Sequence, residues 1–183
     1  MKPEYSTERI GSYYRLTGVC PLEHRYNDGD SFLVRHGEDE FELRLYYVDT
    51  PEKYLSDEHA KQRERVAEQA DYFGLSLDQT IALGQVAKTY VERLFQEQGS
   101  FTVYTAWEQV YDGDRYHGFV EIDDPQKPSE KIYLTELLVR EGLGRIHTRG
   151  EETPKGQSWR AYKEQLYSLE RRAKEARRGA WMF

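Results

Sequence analysis

Residues 41–52 decide the fold, and they read Phe-Glu-Leu-Arg-Leu-Tyr-Tyr-Val-Asp-Thr-Pro-Glu. Phe41, Leu43 and Leu45 alternate with polar residues, which is the period of two typical of a strand with one buried face. Arg44 falls between two of these apolar positions, so the pattern predicts that its side chain points to the opposite face of the strand.

Acidic residues flank this strand on both sides. Residues 28–30 read Asp-Gly-Asp and precede it at a turn that can present both carboxylates. Residues 49–52 read Asp-Thr-Pro-Glu and follow it directly. Pro51 fixes a bend that can bring Glu52 back beside Asp49. The sequence therefore predicts that acidic groups gather at one end of the strand.

Periodicity over the rest of the chain predicts an α+β fold with a small barrel or a strongly curled sheet. Strands are predicted near residues 14–22, 32–34, 41–48, 101–106 and 116–122. Helices are predicted near residues 57–71, 78–96, 134–140 and 157–177. The first helix is highly charged and is predicted to lie on the surface. Residues 123–131 are predicted to form an exposed loop.

The acidic groups have a chemical explanation. Carboxylates repel one another and repel a phosphodiester, so three or four at one place indicate a bound cation. Hard oxygen ligands favour Ca²⁺ or Mg²⁺ over Zn²⁺. The planar guanidinium of Arg44 can bind two phosphate oxygens at once. An isolated Asp-Gly-Asp is usually a turn, but this combination supplies the parts that phosphoryl transfer needs.

The combination resembles the signature of the staphylococcal nuclease (thermonuclease) family. The resemblance rests on Asp-Gly-Asp-Ser at residues 28–31 and on Arg-Leu-Tyr-Tyr-Val-Asp-Thr-Pro-Glu at residues 44–52. It continues at residues 114–120, 134–143 and 177–181. It implies an OB-fold-like five-stranded Greek-key β-barrel with three main helices. One domain over residues 14–183 would follow a loose lead-in over residues 1–13.

The resemblance also implies a metal site. Asp30 and Asp49, with the main-chain carbonyl of Thr50, would hold one Ca²⁺. Asp28 would lie behind these ligands or bind through water. No histidine spacing suggests another metal.

Three further residues would carry out the reaction. Glu52 would act as the general base on the attacking water. Arg44 and Arg115 would bind the phosphate and stabilise the charge of the five-coordinate state. The products would be a 3′-phosphate and a 5′-hydroxyl.

The chain departs from the family pattern in two places. Gly-Asp precedes Arg115 where the family often has Tyr-Gly, which leaves open a second register with His117 nearest the arginine position. Residues 147–150 read His-Thr-Arg-Gly where the archetype stacks a base on tyrosines. His147 and Arg149 are therefore candidates for phosphate contacts instead.

The net charge of −7 opposes binding of a polyanion. Residues 134–183 carry +4 and residues 1–133 carry −11, so the acid lies in the part where the cation is predicted. The basic helix at residues 157–177 is either a solvated face or a nucleic-acid contact.

Cys20 is the single cysteine, so no intrachain disulfide can form. No apolar stretch is long enough for a transmembrane helix. The first residues lack the apolar core of a signal peptide, so a secreted or periplasmic form would need a signal already removed.

The leading hypothesis is a Ca²⁺-dependent nuclease that acts on DNA and/or RNA, as a monomer by the family's default. One alternative is a non-catalytic module of the same fold that binds nucleic acid or protein. Another is a hydrolase of small phosphodiesters. The complete set of acidic and guanidinium groups favours the nuclease, because binding modules usually lose some of them.

Overall fold

A closed β-barrel forms the centre of the structure, a computed structural model that describes residues 2–111, 113–147 and 150–183. The strands are β1 (Ser6–Ile10), β2 (Tyr13–Pro21), β3 (Ser31–His36), β4 (Asp39–Leu45), β5 (Val48–Asp49), β6 (Phe101–Thr105), β7 (Arg115–Asp124), β8 (Lys127–Tyr133) and β9 (Arg145–Ile146). The helices are α1 (Ala60–Phe73), α2 (Leu77–Gln98), α3 (Leu134–Arg140) and α4 (Trp159–Glu175), followed by a short 3₁₀ helix (Gly179–Met182).

Five strands close the barrel in the order β2-β3-β4-β7-β6, and β6 pairs back to β2. The β4–β7 pairing is parallel and the other four are antiparallel. The predicted five-stranded, OB-fold-like barrel is therefore confirmed. The described residues form four α-helices rather than three main ones. Gly74, in the left-handed conformation, ends α1, and a capping box at Ser76 and Gln79 starts α2 as a separate helix.

The alternation of apolar and polar residues predicted from residue 41 onward is present in β4. Phe41, Leu43 and Leu45 are buried in the core, and Arg44 lies on the other face. The strand ends at Leu45, three residues earlier than predicted. Tyr47 has a φ of 69°, a left-handed conformation that turns the chain before β5 begins.

Two stretches predicted as irregular are strands at the edge of the sheet. Within the predicted lead-in, Ser6–Ile10 forms β1 and pairs with β2. The predicted loop at residues 123–131 is wrong, because β7 and β8 pair across it with Asp123 opposite Lys131. Charged residues and a proline made this stretch look like a loop, but an edge strand tolerates both.

The described helices cover the barrel and do not resemble membrane spans. None of them combines the length and apolar character needed to cross a bilayer. The hydrophobic core is continuous from the barrel strands to all four α-helices, including Phe73 of α1 and Leu166 of α4. The helices therefore take part in the same core that supports the end of β4.

Candidate active site

The predicted site residues come together around one cavity of about 250 Å³, here called the acidic cavity. The residues lining it include Asp28, Asp30, Arg44, Asp49, Thr50, Glu52 and Arg115. They include every residue predicted to bind the metal, to lie behind its ligands or to carry out the reaction.

The turn before β3 fixes Asp30. The main-chain N–H of Leu45 donates to the carbonyl of Asp30 at 2.9 Å, which ties the turn to the end of β4. The Asp30 carboxylate in turn accepts the main-chain N–H of Thr50 at 2.7 Å. Asp30 is 6% exposed. Its carboxylate is thus buried and held against the segment that follows β5.

Arg44 connects the acidic groups. Its Nη1 donates to the carbonyl of Val48 at 2.9 Å and lies 3.2 Å from the Asp30 carboxylate. Its Nη2 lies 3.3 Å from Oδ1 of Asp49. The side chain is only 11% exposed. The guanidinium is therefore held in a fixed orientation from three sides.

Gln69 on α1 organises the same segment, and the sequence did not indicate it. Its side-chain N–H donates to Asp49 Oδ2 at 2.9 Å and to the Thr50 carbonyl at 3.2 Å. Its side-chain oxygen accepts the main-chain N–H of Glu52 at 3.0 Å. The buried positions of α1 are Gln62, Val66, Gln69, Ala70 and Phe73. Their spacing is helical, but two of the five are glutamines, which concealed the buried face and made α1 look surface-lying.

Arg145 is a second residue that sequence reasoning missed. It lies opposite Asp49 where β5 pairs with β9, and its Nε lies 2.7 Å from Asp49 Oδ2. Arg145 is 5% exposed. Both carboxylate oxygens of Asp49 therefore accept hydrogen bonds from cationic or amide groups. The two residues are 96 positions apart, so no local spacing could have signalled the pair.

Glu52 faces the acidic cavity and pairs with another residue of α1. Its Oε1 lies 2.8 Å from Nε of Arg65, and the Glu52 side chain is 16% exposed. Helix α2 crosses its main chain closely, because a Cβ added to Gly84 would lie 2.2 Å from the Glu52 carbonyl oxygen. The position therefore accepts only glycine, and the Glu52 backbone is fixed against α2.

Arg115 begins β7 and lies opposite Glu42 of β4. Its Nε is buried and has no hydrogen-bond partner within the described residues, although Glu42 Oε1 lies 3.5 Å away. His117 lies outside the acidic cavity, and its ring stacks on Tyr46 at a centroid distance of 4.8 Å. This placement favours the register that assigns the second arginine position to Arg115.

A second cavity of about 480 Å³ adjoins the first, and we call it the adjoining cavity. Tyr111, His117 and His147 line it. Burial, and then the nearby Arg145, lower the pKa of His147, so its imidazole is neutral at neutral pH. A neutral ring attracts phosphate weakly. Arg149 lies outside the described residues, so its predicted contact stays a prediction.

The model of one protein family, the staphylococcal nuclease homologue family, matches residues 42–182. The chain belongs to this family. No curated protein matches the chain. The family match begins within β4, so it includes Arg44, Glu52 and Arg115. Asp28 and Asp30 precede it, and the fold of this staphylococcal nuclease homologue brings them to the same cavity.

Three carboxyl groups in the acidic cavity of this staphylococcal nuclease homologue have raised pKa values. Burial raises the pKa of Asp30 to about 6; Arg44 opposes this, and the nearby Asp49 and Asp28 add to it. Burial also raises the pKa of Asp28, against the effect of Lys53, whose Nζ lies 3.4 Å from it. Burial raises the pKa of Glu52 too, against the effect of Arg65. The acidic cavity would therefore gain stability from an added cation.

The chemistry of these donors fits a hard divalent cation. The part of the chain that the structure describes contains no group of three or more His, Cys, Asp or Glu side chains placed to hold a metal ion. The predicted set requires only two carboxylates, from Asp30 and Asp49, with the carbonyl of Thr50. All three line the acidic cavity, and a bound cation would offset both the burial and the neighbouring carboxylates that raise the pKa of Asp30.

Proposed function

We propose that this staphylococcal nuclease homologue is a Ca²⁺-dependent nuclease that hydrolyses DNA and/or RNA to 3′-phosphate and 5′-hydroxyl products. One observation carries the proposal: a single cavity collects the acidic groups together with Arg44 and Arg115. The buried Nε of Arg115 has no hydrogen-bond partner among the described residues. A buried donor without a partner is costly, and an oxygen of a bound phosphate would satisfy it.

Asp30, Asp49 and the carbonyl of Thr50 would hold the cation, with Asp28 behind them or bound through water. When bound, Ca²⁺ supplies the positive charge that offsets the charge developing on the phosphate. The same charge would stabilise the ionised Asp30, whose pKa is raised by burial and then by the neighbouring carboxylates.

The protein side chains carry the remaining steps. Glu52 accepts a proton from the water that attacks phosphorus, and its raised pKa makes it a stronger base than an exposed glutamate. Arg44 and Arg115 donate to the phosphate oxygens as charge grows on them. The bond from phosphorus to the 5′ oxygen then breaks. That oxygen takes its proton from solvent, because a guanidinium is too weak an acid to supply it.

The binding-module alternative has one observation in its favour. Both carboxylate oxygens of Asp49 and the carbonyl of Thr50 already accept hydrogen bonds, from Arg44, Gln69 and Arg145. If these bonds are kept in solution, the site would bind a phosphate without a cation and without hydrolysis.

Fluorescence-quenched DNA and RNA oligonucleotides test the proposal, each with about 10 mM Ca²⁺, with Mg²⁺ and with excess chelator, a range that covers weak calcium sites. Cleavage that requires Ca²⁺ is the expected result. Binding of the oligonucleotides without cleavage in any metal would replace the nuclease with the binding module. Cleavage of a small phosphodiester such as bis(p-nitrophenyl) phosphate, but of no oligonucleotide, would indicate the small-substrate hydrolase.

A further inference from the structure

We infer that Arg65, on α1, is a further substrate-binding residue of this site and contacts a phosphate next to the scissile one. The inference rests on the proposed function, because it takes nucleic acid as the ligand. Nothing in the sequence pattern pointed to Arg65, which lies on a helix predicted to be surface-lying.

Arg65 stands where the two cavities meet. Four residues line both the acidic cavity and the adjoining cavity, namely Arg44, Asp49, Arg65 and Arg115. Three of these four are arginines. A chain that enters the acidic cavity with its scissile phosphate therefore meets guanidinium groups as it continues into the adjoining cavity.

The balance of charge differs between the two cavities. The acidic cavity is lined by five acidic residues and four basic ones. Among the described residues, the adjoining cavity is lined by three arginines, all of which also line the acidic cavity, and by two acidic residues, Asp49 and Glu108. In a protein with a net charge of −7, this is a local excess of positive charge. A second phosphate is therefore most favourably placed at the junction of the two cavities, where Arg65 lies.

Arg65 is also free to change partners, which Arg44 is not. Its side chain is 51% exposed, whereas that of Arg44 is 11% exposed and bound on three sides. The described ion pair of Arg65 is with Glu52 at 2.8 Å. An ion pair with an exposed partner contributes little to stability. Arg65 can therefore exchange the carboxylate of Glu52 for a phosphate oxygen, which also releases Glu52 from its cationic partner.

The test is a cycle that pairs a substitution in the protein with one in the substrate. Arg65→Ala and Arg65→Lys are compared with the native chain on DNA oligonucleotides that contain one cleavable position. In a matched series, each linkage next to the scissile one is replaced in turn by an uncharged methylphosphonate. Arg93→Ala is the control, because it removes the same charge from an exposed position of α2 and lines neither cavity.

We expect Arg65→Ala to raise KM about 10-fold on the fully charged oligonucleotide with little change in kcat, since a charge-assisted contact away from the reacting atoms is lost. At one methylphosphonate position, the native chain should lose a similar factor and Arg65→Ala should lose nothing further. Arg65→Lys should recover part of the loss, and Arg93→Ala should match the native chain. Alanine favours a helix at an exposed position, so the fold should be retained.

Two results would overturn the inference. An equal penalty for Arg65→Ala on every oligonucleotide, seen in kcat, would mean that Arg65 acts through Glu52 and not on a phosphate. An absent penalty would mean that it makes no contact. The same cycle is repeated with chelator, measuring the dissociation constant by fluorescence anisotropy. A native chain that binds with this coupling but cleaves nothing would refute the nuclease and keep the Arg65 contact. Neither binding nor cleavage would refute both.

Discussion

Two buried aspartate–arginine clusters in this protein have opposite electrostatics. At the far end of β7, Arg140 donates to both carboxylate oxygens of Asp124 at 2.8 and 2.9 Å. These hydrogen bonds lower the pKa of Asp124 to about 2. In the acidic cavity, Arg44 lies 3.2 and 3.3 Å from Asp30 and Asp49, and the pKa of Asp30 is raised to about 6.

The difference follows first from burial, which is the largest cause of the raised pKa of Asp30, and then from how many carboxylates share one guanidinium. Asp124 has Arg140 in a bidentate arrangement, so its charged form is stabilised. Asp30 is deeply buried, shares Arg44 with Asp49 and lies near Asp28, so its charged form costs free energy. A buried cluster that lacks a compensating charge is retained in proteins mainly where it serves a function. The first cluster therefore stabilises the fold, and the second is the one for which we propose a chemical role.

The largest expected effect separates chemistry from stability. Glu52→Gln keeps the size of the side chain but removes its ability to accept a proton. We expect kcat to fall by about 10²- to 10⁴-fold, with the melting temperature changed by less than about 2 °C. The oligonucleotide assay measures kcat, and circular dichroism measures the melting temperature. Glu130→Gln, on β8 away from both cavities, is the control. A fully active Glu52→Gln protein would refute its role as base.

The next effect tests the structural cluster. Asp124→Asn removes the bidentate partner of Arg140 and leaves only Glu141, at 3.5 Å, and we expect the free energy of unfolding to fall by about 2 kcal/mol. Asp123→Asn is the matched neighbour, because its ion pair with Lys131 is exposed. That control should cost less than about 0.5 kcal/mol. Urea titration measures both, and equal losses would contradict the contrast between the two clusters.

The contribution of Asp124 should also depend on pH. Its pKa is lower in the folded state than in the unfolded chain, where it is near 4, so the stabilisation is complete above that value and is lost as pH falls toward 2. The difference in stability between native protein and Asp124→Asn should therefore shrink by about half between pH 6 and pH 3. Urea titrations at the two pH values measure it. A difference that does not change with pH would mean that the aspartate acts by packing and not by charge.

The smallest effect has the opposite sign. Asp30→Asn removes a charge that burial and neighbouring carboxylates disfavour, while its side-chain oxygen can still accept the N–H of Thr50. In chelator at neutral pH, we expect the free energy of unfolding to rise by about 1 kcal/mol. Added Ca²⁺ should raise the melting temperature of the native protein but not of the variant. A loss of stability as large as that of Asp124→Asn would erase the distinction between the clusters.

The sequence predicted those parts of the site that follow from local pattern. The alternation of Leu43 and Leu45 placed Arg44 on the outer face of β4, because side chains on a strand alternate whatever the rest of the chain does. Local pattern also predicted the five strands of the barrel and the helix α3. It failed for β8, whose exposed, charged composition suits an edge strand as well as a loop.

The remaining part of the site arises from packing between distant segments. Gln69 contacts Asp49, and Arg65 contacts Glu52, only because α1 folds back over the segment after β5. Arg145 arrives through a two-residue strand pairing. These contacts have no sequence period, and a buried glutamine on a charged helix looks like any solvated residue. The catalytic and ligand roles assigned by resemblance stay predictions until the experiments above are made.

The pairing of β5 with β9 also affects the order in which parts of the structure form during refolding. Asp49 contacts Arg145, which lies 96 residues further along the chain. During refolding, this ion pair can form only after the two distant segments have come together. Contacts of such large sequence separation form slowly relative to helices. Helical content should therefore return before the cluster around Asp49 is complete. In such an experiment, the recovery of cleavage would report the final closure of the structure, and circular dichroism would report an earlier stage.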